Sequence, residues 1–215
     1  MQQFWQQFVS NLYQTSILEY IAVLAGIASV WFSRKENIWV YPVGLVSTII
    51  YVYLSFVSHL IGEASVNIYY SILSIYGWVL WARKDQQKQH ILHISISTKK
   101  EWIQQLLFAV TLYIVIFLAL IFLKKYFYPN VIPWGDAFAS ATAYTGMWLM
   151  AKKKVESWYW WIATNIASIP LYFVKGLVVT SVYYFILLIM AFWGLAEWKR
   201  RATNKNLSNL GIERA

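Results

Sequence analysis

Seven apolar runs of 16 to 22 residues, each bounded by charged or turn residues, constrain this chain more than any other feature. A hydrocarbon core about 30 Å thick is crossed by about 20 residues in helical form, so runs of this length read as transmembrane helices. They are Ile17 to Ser33, Ile38 to Val57, Ala64 to Ala82, Ile103 to Leu123, Asp136 to Ala151, Ser157 to Val174 and Leu177 to Trp198. A water-soluble fold would need a charged surface, yet only 13% of the residues are charged while 60% are hydrophobic. Soluble domains carry about twice that charge fraction. The expected class is an all-α integral membrane protein whose solvent is the lipid bilayer.

The loop charges test the span count independently. With the N-terminus outside, Arg34, Lys35, the stretch from Arg83 to Lys100, Lys152 to Lys154 and the basic tail from Lys199 all fall inside. Of the 18 Lys and Arg, only Lys124, Lys125 and Lys175 remain outside, as the positive-inside rule requires. The C-terminus is then inside. The net charge of +9 is thus a topology signal between apolar runs, not a nucleic-acid footprint. The absence of cysteine removes disulfides, thiolate metal sites and cysteine nucleophiles together.

Residues 1–16 carry Phe4, Trp5, Phe8, Leu12 and Tyr13 at helical spacing among Gln and Asn, and read as an interfacial helix. No Lys or Arg precedes Arg34, so the segment lacks the basic start of a signal peptide. Residues 84–102 form a polar cytoplasmic loop in which His93-Ile-Ser-Ile-Ser97 alternates with period two, predicting a short extended piece. Residues 202–215 read as a disordered cytoplasmic tail.

An internal repeat organises the spans. Arg34-Lys-Glu-Asn-Ile-Trp39 before the second span answers Lys153-Lys-Val-Glu-Ser-Trp158 before the sixth. Tyr76-Gly77-Trp78 and Trp81-Ala-Arg83 at the end of the third answer Trp193-Gly194 and Trp198-Lys-Arg200 at the end of the seventh. Residues 17–83 and 134–201 are then two three-helix units. The single linker helix over 103–124 gives both units the same direction through the membrane, a 3+1+3 parallel repeat about an axis along the membrane normal. Small residues four apart, Ala22 and Gly26 in the first span and Gly135, Ala139 and Ala143 in the fifth, permit close helix approach.

Polar side chains within membrane helices usually face protein or a cavity, so their helical phase is informative. In the third span Asn67, Ser71, Ser74, Trp78 and Trp81 share one face, and in the sixth Trp158, Trp161, Asn165, Ser168 and Tyr172 share another. The repeat places Tyr184, Leu188, Ala191 and Leu195 opposite the first set and, with Trp39 matched to Trp158, Val46 and Ile49 opposite Asn165 and Ser168. One polar stripe per unit is expected if an asymmetric ligand lies between the third and sixth helices. Asn supplies a donor and an acceptor, while Trp and Tyr supply flat faces for a ring or cation. The substrate-binding candidates are Asn67, Ser71, Ser74, Trp158, Trp161, Asn165, Ser168 and Tyr172. Asp136, Trp39 and Trp78 are candidates for a mouth or gate. Asp136 serves equally as a helix N-cap, and the Trp residues near span ends as an interfacial belt.

No carboxylate falls at mid-membrane, since Glu19 and Asp136 sit at outer ends and Glu197 at an inner end. This favours uncoupled facilitation over ion-coupled transport. His59 lies in an outer loop and His90 and His93 in the inner one, so no cluster for metal or acid–base work converges, and neither cofactor nor enzymatic activity is expected. A non-transporting membrane scaffold, with both stripes serving only helix contacts, is the competing class.

Tyr76-Gly77-Trp78-x-x-Trp81 and Glu156-Ser-Trp158-x-x-Trp161-x-x-x-Asn165, set in this topology, resemble the PnuC-type vitamin transporters over roughly Ile17 to Arg201. The resemblance implies a SWEET-like fold in the bacterial inner membrane, facilitated uptake of nicotinamide riboside, trapping by a cytosolic kinase, and a homotrimer in some members. Within it, Trp158, Trp161 and Asn165 match the sixth-helix motif, and Asp136 an acidic residue opening the fifth helix. Nicotinamide riboside carriers typically have Gln at the position of Asn67 and Asn at that of Ser74. The shorter amide loses about 1.5 Å of reach, and relatives carrying thiamine keep that vitamin open as the substrate.

Overall fold

The computed structural model describes residues 16–57, 61–87, 90–126 and 132–209. Seven helices follow one another there: α1 (Ile17–Arg34), α2 (Val40–Val57), α3 (Ile61–Ala82), α4 (Lys99–Tyr126), α5 (Pro133–Ala151), α6 (Ser157–Val174) and α7 (Val178–Asn209). Residues 1–15, expected as an interfacial helix, lie outside the described residues.

Local chemistry sets the helix ends. The Ser16 side chain accepts the Glu19 amide at 3.2 Å, an N-cap that starts α1. The helix stops where Glu36 turns left-handed at φ 59°, with the Glu36 and Asn37 amides folding back onto the Ser33 and Phe32 carbonyls. The end of α5 repeats this turn with Lys153 at φ 51°. A side chain in that region costs of order 1 kcal/mol, so both turns must be held by their surroundings. The turn from α6 to α7 avoids the cost by using Gly176 at φ 78°.

Helix α1 packs on α2 and α2 on α3; α5 packs on α6 and α6 on α7; the two sets meet where α3 touches α5 and α7 touches α1. Six helices thereby close a ring, and α4 stands outside it, packed on α5 and reaching α6 through Gln105 with Trp160 and Trp102 with Tyr159. Two chemistries follow from this placement. Helix α5, with three neighbours, is rich in buried Ala, Gly and Thr, which let backbones approach. Helix α4, outside the ring, exposes Leu107, Val115, Leu118 and Phe122.

By length and composition alone α1, α2, α4 and α7 are apolar enough to cross a membrane. Helix α7 also departs from expectation at its end. The tail predicted to be disordered from residue 202 is helical to Asn209, because Arg200 and Arg201 pair with Glu197 along the helix and Ala202 is buried in the core. The extended piece in the loop after α3 is present: Ser95 bridges to Lys154 in parallel, and the buried Glu156 accepts both the amide and the hydroxyl of Ser97, at 2.8 and 2.7 Å.

The basic end of the bundle, where α1, α3 and α5 finish, holds a buried cluster that includes Tyr41, Trp81, Met150, Trp158 and Trp198. Trp81 donates from its indole to the Ala151 carbonyl at the end of α5, and Trp198 to the Ser33 carbonyl near the end of α1. Each set thus donates an indole bond to a helix-end carbonyl of the other, at about 1 kcal/mol per bond. Ser33 meets Met150 at 2.9 Å and Glu36 meets Lys153 at 2.7 Å, both pairs 117 residues apart. Tyr41 seats its ring on Gly77, and Trp158, at the same separation, seats its ring on Gly194. This packing corrects the alignment expected between α2 and α6 by two residues. At that separation of 117 residues Trp158 lines up with Tyr41, not Trp39, and Asn165 and Ser168 line up with Thr48 and Tyr51, not Val46 and Ile49.

Candidate functional site

Helices α3 and α6 make no backbone contact with one another, and the side chains that bridge them define the candidate site. Trp161 of α6 lies flat on Gly146 of α5, where any added Cβ would crowd its ring at 3.2 Å. It also meets Tyr70 of α3, with ring centroids 6.0 Å apart and the planes tilted by 57°. Tyr70 also stands edge-on to Tyr144 of α5 at 6.3 Å, and Tyr69 packs on Tyr144 at 4.4 Å. From α7, Tyr184 stacks on Tyr172 at 5.1 Å with the planes 14° apart, while the Tyr183 hydroxyl reaches Gly26 of α1. Aromatic rings from α3, α5, α6 and α7 therefore gather in the middle of the ring of helices.

Beside them Asn165 is 2% exposed, and its side-chain carbonyl has no hydrogen-bond partner among the described residues. An unmade bond on a buried amide costs about 1 to 3 kcal/mol, which marks the atom as waiting for a donor. Its counterpart shows what is missing. Thr48 Oγ1 in α2 lies 2.8 Å from Ser71 Oγ in α3, whereas the position in α7 that corresponds to Ser71 is Leu188, which offers nothing. The neighbouring Thr164 is satisfied, donating within reach of Thr142 of α5 and the Trp160 carbonyl, each at 2.9 Å. Pro170 lies inside α6 and has no amide proton for the Ile166 carbonyl, so the backbone ladder opens one residue beyond Asn165.

The remaining expected residues divide by place. Asn67 and Ser71 lie on α3, half-buried, with the Ser71 hydroxyl 2.9 Å from the Asn67 carbonyl and engaged with α2. Ser74 and Ser168 are buried on α3 and α6. Trp158 belongs to the packed basic end, 1% exposed and edge-on to Trp198 at 5.5 Å, with its indole N–H buried and unpaired. Trp39 and Trp78 are exposed at 58% and 40%. Asp136 is not the N-cap expected of it, since Ile132 takes that position: one carboxylate oxygen accepts the Ile132 amide at 2.9 Å from within the first turn of α5, and the other pairs with Lys175 at the end of α6.

Sequence reasoning missed the tyrosines. Tyr69-Tyr70 and Tyr183-Tyr184 are adjacent pairs inside apolar runs, and Tyr144 sits mid-helix, away from the interface where a belt would lie. A phenol at that depth was the available signal.

Four helices apolar enough to cross a membrane, and a ring of six enclosing aromatic side chains, are the architecture of a polytopic membrane protein. Residues 16–200 match the family described as "Nicotinamide mononucleotide transporter", and the chain belongs to that family; it is a transporter, not an enzyme. The riboflavin/roseoflavin transporter RibM of Streptomyces davaonensis is 24% identical over 180 residues, covering 83% of each chain. The nicotinamide riboside transporter PnuC of Escherichia coli K12 is 22% identical over 213 residues, covering 90% of this chain and 89% of that one. The crystal structure of the vitamin B3 transporter PnuC is similar in fold, with a TM-score of 0.67 over 94% of this chain and 88% of that one, at 22% identity.

Proposed function

We propose that the protein carries a ring-bearing vitamin across a bacterial inner membrane by facilitated diffusion, with nicotinamide riboside as substrate. The observation that carries this reading is the unpaired Asn165 carbonyl beside the facing Trp161 and Tyr70 rings. The two rings touch at a tilt of 57°, so a flat heteroaromatic ring enters by displacing one and stacking on the other, and an amide or ribose donor meets Asn165. Asn67 holds the polar part from α3, Tyr172 and Tyr184 close the space beyond, and Trp158 forms the floor. The absence of any mid-membrane acid supports transport down the substrate's own gradient, with cytosolic phosphorylation trapping the product.

The helices α1 to α3 and α5 to α7 are proposed to be parallel repeats that rock about a central axis. The contact pattern supports this, because exchanging the two sets turns the α3–α5 contact into the α7–α1 contact. Loop charge places the basic end and the C-terminus in the cytoplasm and the N-terminus outside. Asp136 with Lys175 stands at the outer mouth, and a homotrimer accords with the family resemblance.

Riboflavin is the second reading, favoured by the relative RibM and by the short Asn67 and Ser74, which leave more room than the Gln and Asn expected of a nicotinamide riboside carrier. Uptake into proteoliposomes without ion gradients tests the mechanism. Labelled nicotinamide riboside should equilibrate and exchange with unlabelled substrate at equal internal and external pH and sodium. Uptake that requires an imposed ion gradient would sink the facilitated mechanism.

A further inference from the structure

The α7–α1 contact leaves open what the α3–α5 contact fills. Between α3 and α5, Tyr69 packs on Tyr144, and α4 lies over the outside with Phe108 5.0 Å from Trp148. The residues 117 positions away are Ile186 and Ile27, with Trp31 in place of Trp148, and among the described residues no helix covers them. The result is a groove of about 530 Å³ along α1 and α7, walled by Leu24, Ala28, Trp31, Ile186, Ile189 and Trp193.

The groove ends at two cations. The Arg34 guanidinium lies 4.6 Å from the Trp31 ring centre and 5.7 Å from that of Trp193, and the Lys35 ammonium lies 5.0 Å from Trp31. Neither has a carboxylate partner among the described residues. On the filled side Lys152 lies 4.3 Å over Trp148 in the same way, and there the covering helix α4 brings an acid, Glu101, to Lys154 at 2.7 Å. That side shows the chemistry such a face accepts: an apolar rod with a negative charge at its basic end. A second copy's α4 would arrive with Glu101 already paired. We propose that the groove binds one anionic phospholipid, an acyl chain lying between α1 and α7 and the phosphate resting against Arg34 and Lys35.

This site rests on the membrane-spanning reading and on the separation of 117 residues, not on the identity of the transported vitamin. The test is native mass spectrometry of the full-length protein in a neutral detergent, titrated with phosphatidylglycerol or phosphatidylcholine of matched chains. One phosphatidylglycerol per chain should be retained, with an affinity roughly thirtyfold above phosphatidylcholine for two cations near an anionic headgroup. R34Q/K35Q should bring the two lipids level, and Ala28→Trp, which fills the groove, should abolish retention of both. Equal binding of the two lipids to the unaltered protein would overturn the proposal, as would a preference that survives R34Q/K35Q. Should Ala28→Trp dissociate an oligomer while lipid retention stays intact, the groove belongs to a second copy and the proposal fails. Because the readout is lipid retention, it stands or falls whether or not any vitamin binds.

Discussion

The ion pair between Glu36 and Lys153 joins the two halves of the ring at the basic end, and removing one partner is expected to cost far more than removing both. Lys153 is 4% exposed and its ammonium lies 2.7 Å from Glu36, with the Trp81 ring 4.5 Å away. Glu36→Gln leaves that buried cation without its counter-ion, and Arg201, 3.3 Å from the same carboxylate, also loses a partner. Breaking a buried pair from one side costs about 3 to 5 kcal/mol. Glu36 is 23% exposed, so solvent lowers the figure toward about 3 kcal/mol. At about 2 to 4 °C per kcal/mol for a chain of this size, the apparent Tm should fall by about 6 to 12 °C. Lys153→Met removes the buried charge, and Glu36 keeps Arg201. The double variant E36Q/K153M should therefore recover most of the loss, with a coupling energy of about 2 kcal/mol. Thermal unfolding of the four proteins in one detergent closes the cycle. Equal losses for E36Q and the double variant, or an E36Q Tm within about 2 °C of the parent, would refute the reasoning.

Three further outcomes are expected. Gly194→Ala places a methyl group against the buried Trp158 ring and should lower stability by about 1 to 3 kcal/mol through overpacking, measured as an apparent Tm; no change would mean that the ring does not rest there. Asn165→Ala should leave the Tm near that of the parent, since the lost carbonyl has no partner in the protein, while substrate affinity in equilibrium binding weakens by about 1 to 3 kcal/mol. Trp198→Phe loses the bond to the Ser33 carbonyl and should cost about 1 kcal/mol or more, whereas the same change at the exposed Trp39 should lie within about 0.5 kcal/mol of the parent.

The spans were legible because the bilayer demands one length and one composition, and the beginning of α1 and both ends of α6 agree with the residues read from the apolar runs. The end of α7 was not legible, since burial of Ala202 is a tertiary fact. In the site, the helical phase found Asn165 and Trp161 because both are unusual on an apolar helix. It could not separate Trp158 from Trp161, three residues apart on one face, since only the third dimension shows one sunk against Gly194 and the other looking toward Tyr70. The likeness of the turns after α1 and α5 was visible, but charge similarity matched Trp39 to Trp158. Packing on Gly77 and Gly194 moves the match to Tyr41, and with it the partner of Asn165 from an apolar residue to a threonine.

The central claim is that the aromatic interior around Asn165 holds one vitamin. Its most direct test is a thermal-shift titration of the purified protein with nicotinamide riboside, riboflavin and thiamine side by side. A ligand that binds only the folded state stabilises it by about 2.7 kcal/mol at one hundred times its Kd. Nicotinamide riboside should raise the apparent Tm in a saturable way, and Asn165→Ala should require a higher concentration for the same shift. Stabilisation by riboflavin or thiamine alone would contradict the assigned substrate, and no shift with any of the three would contradict the site itself.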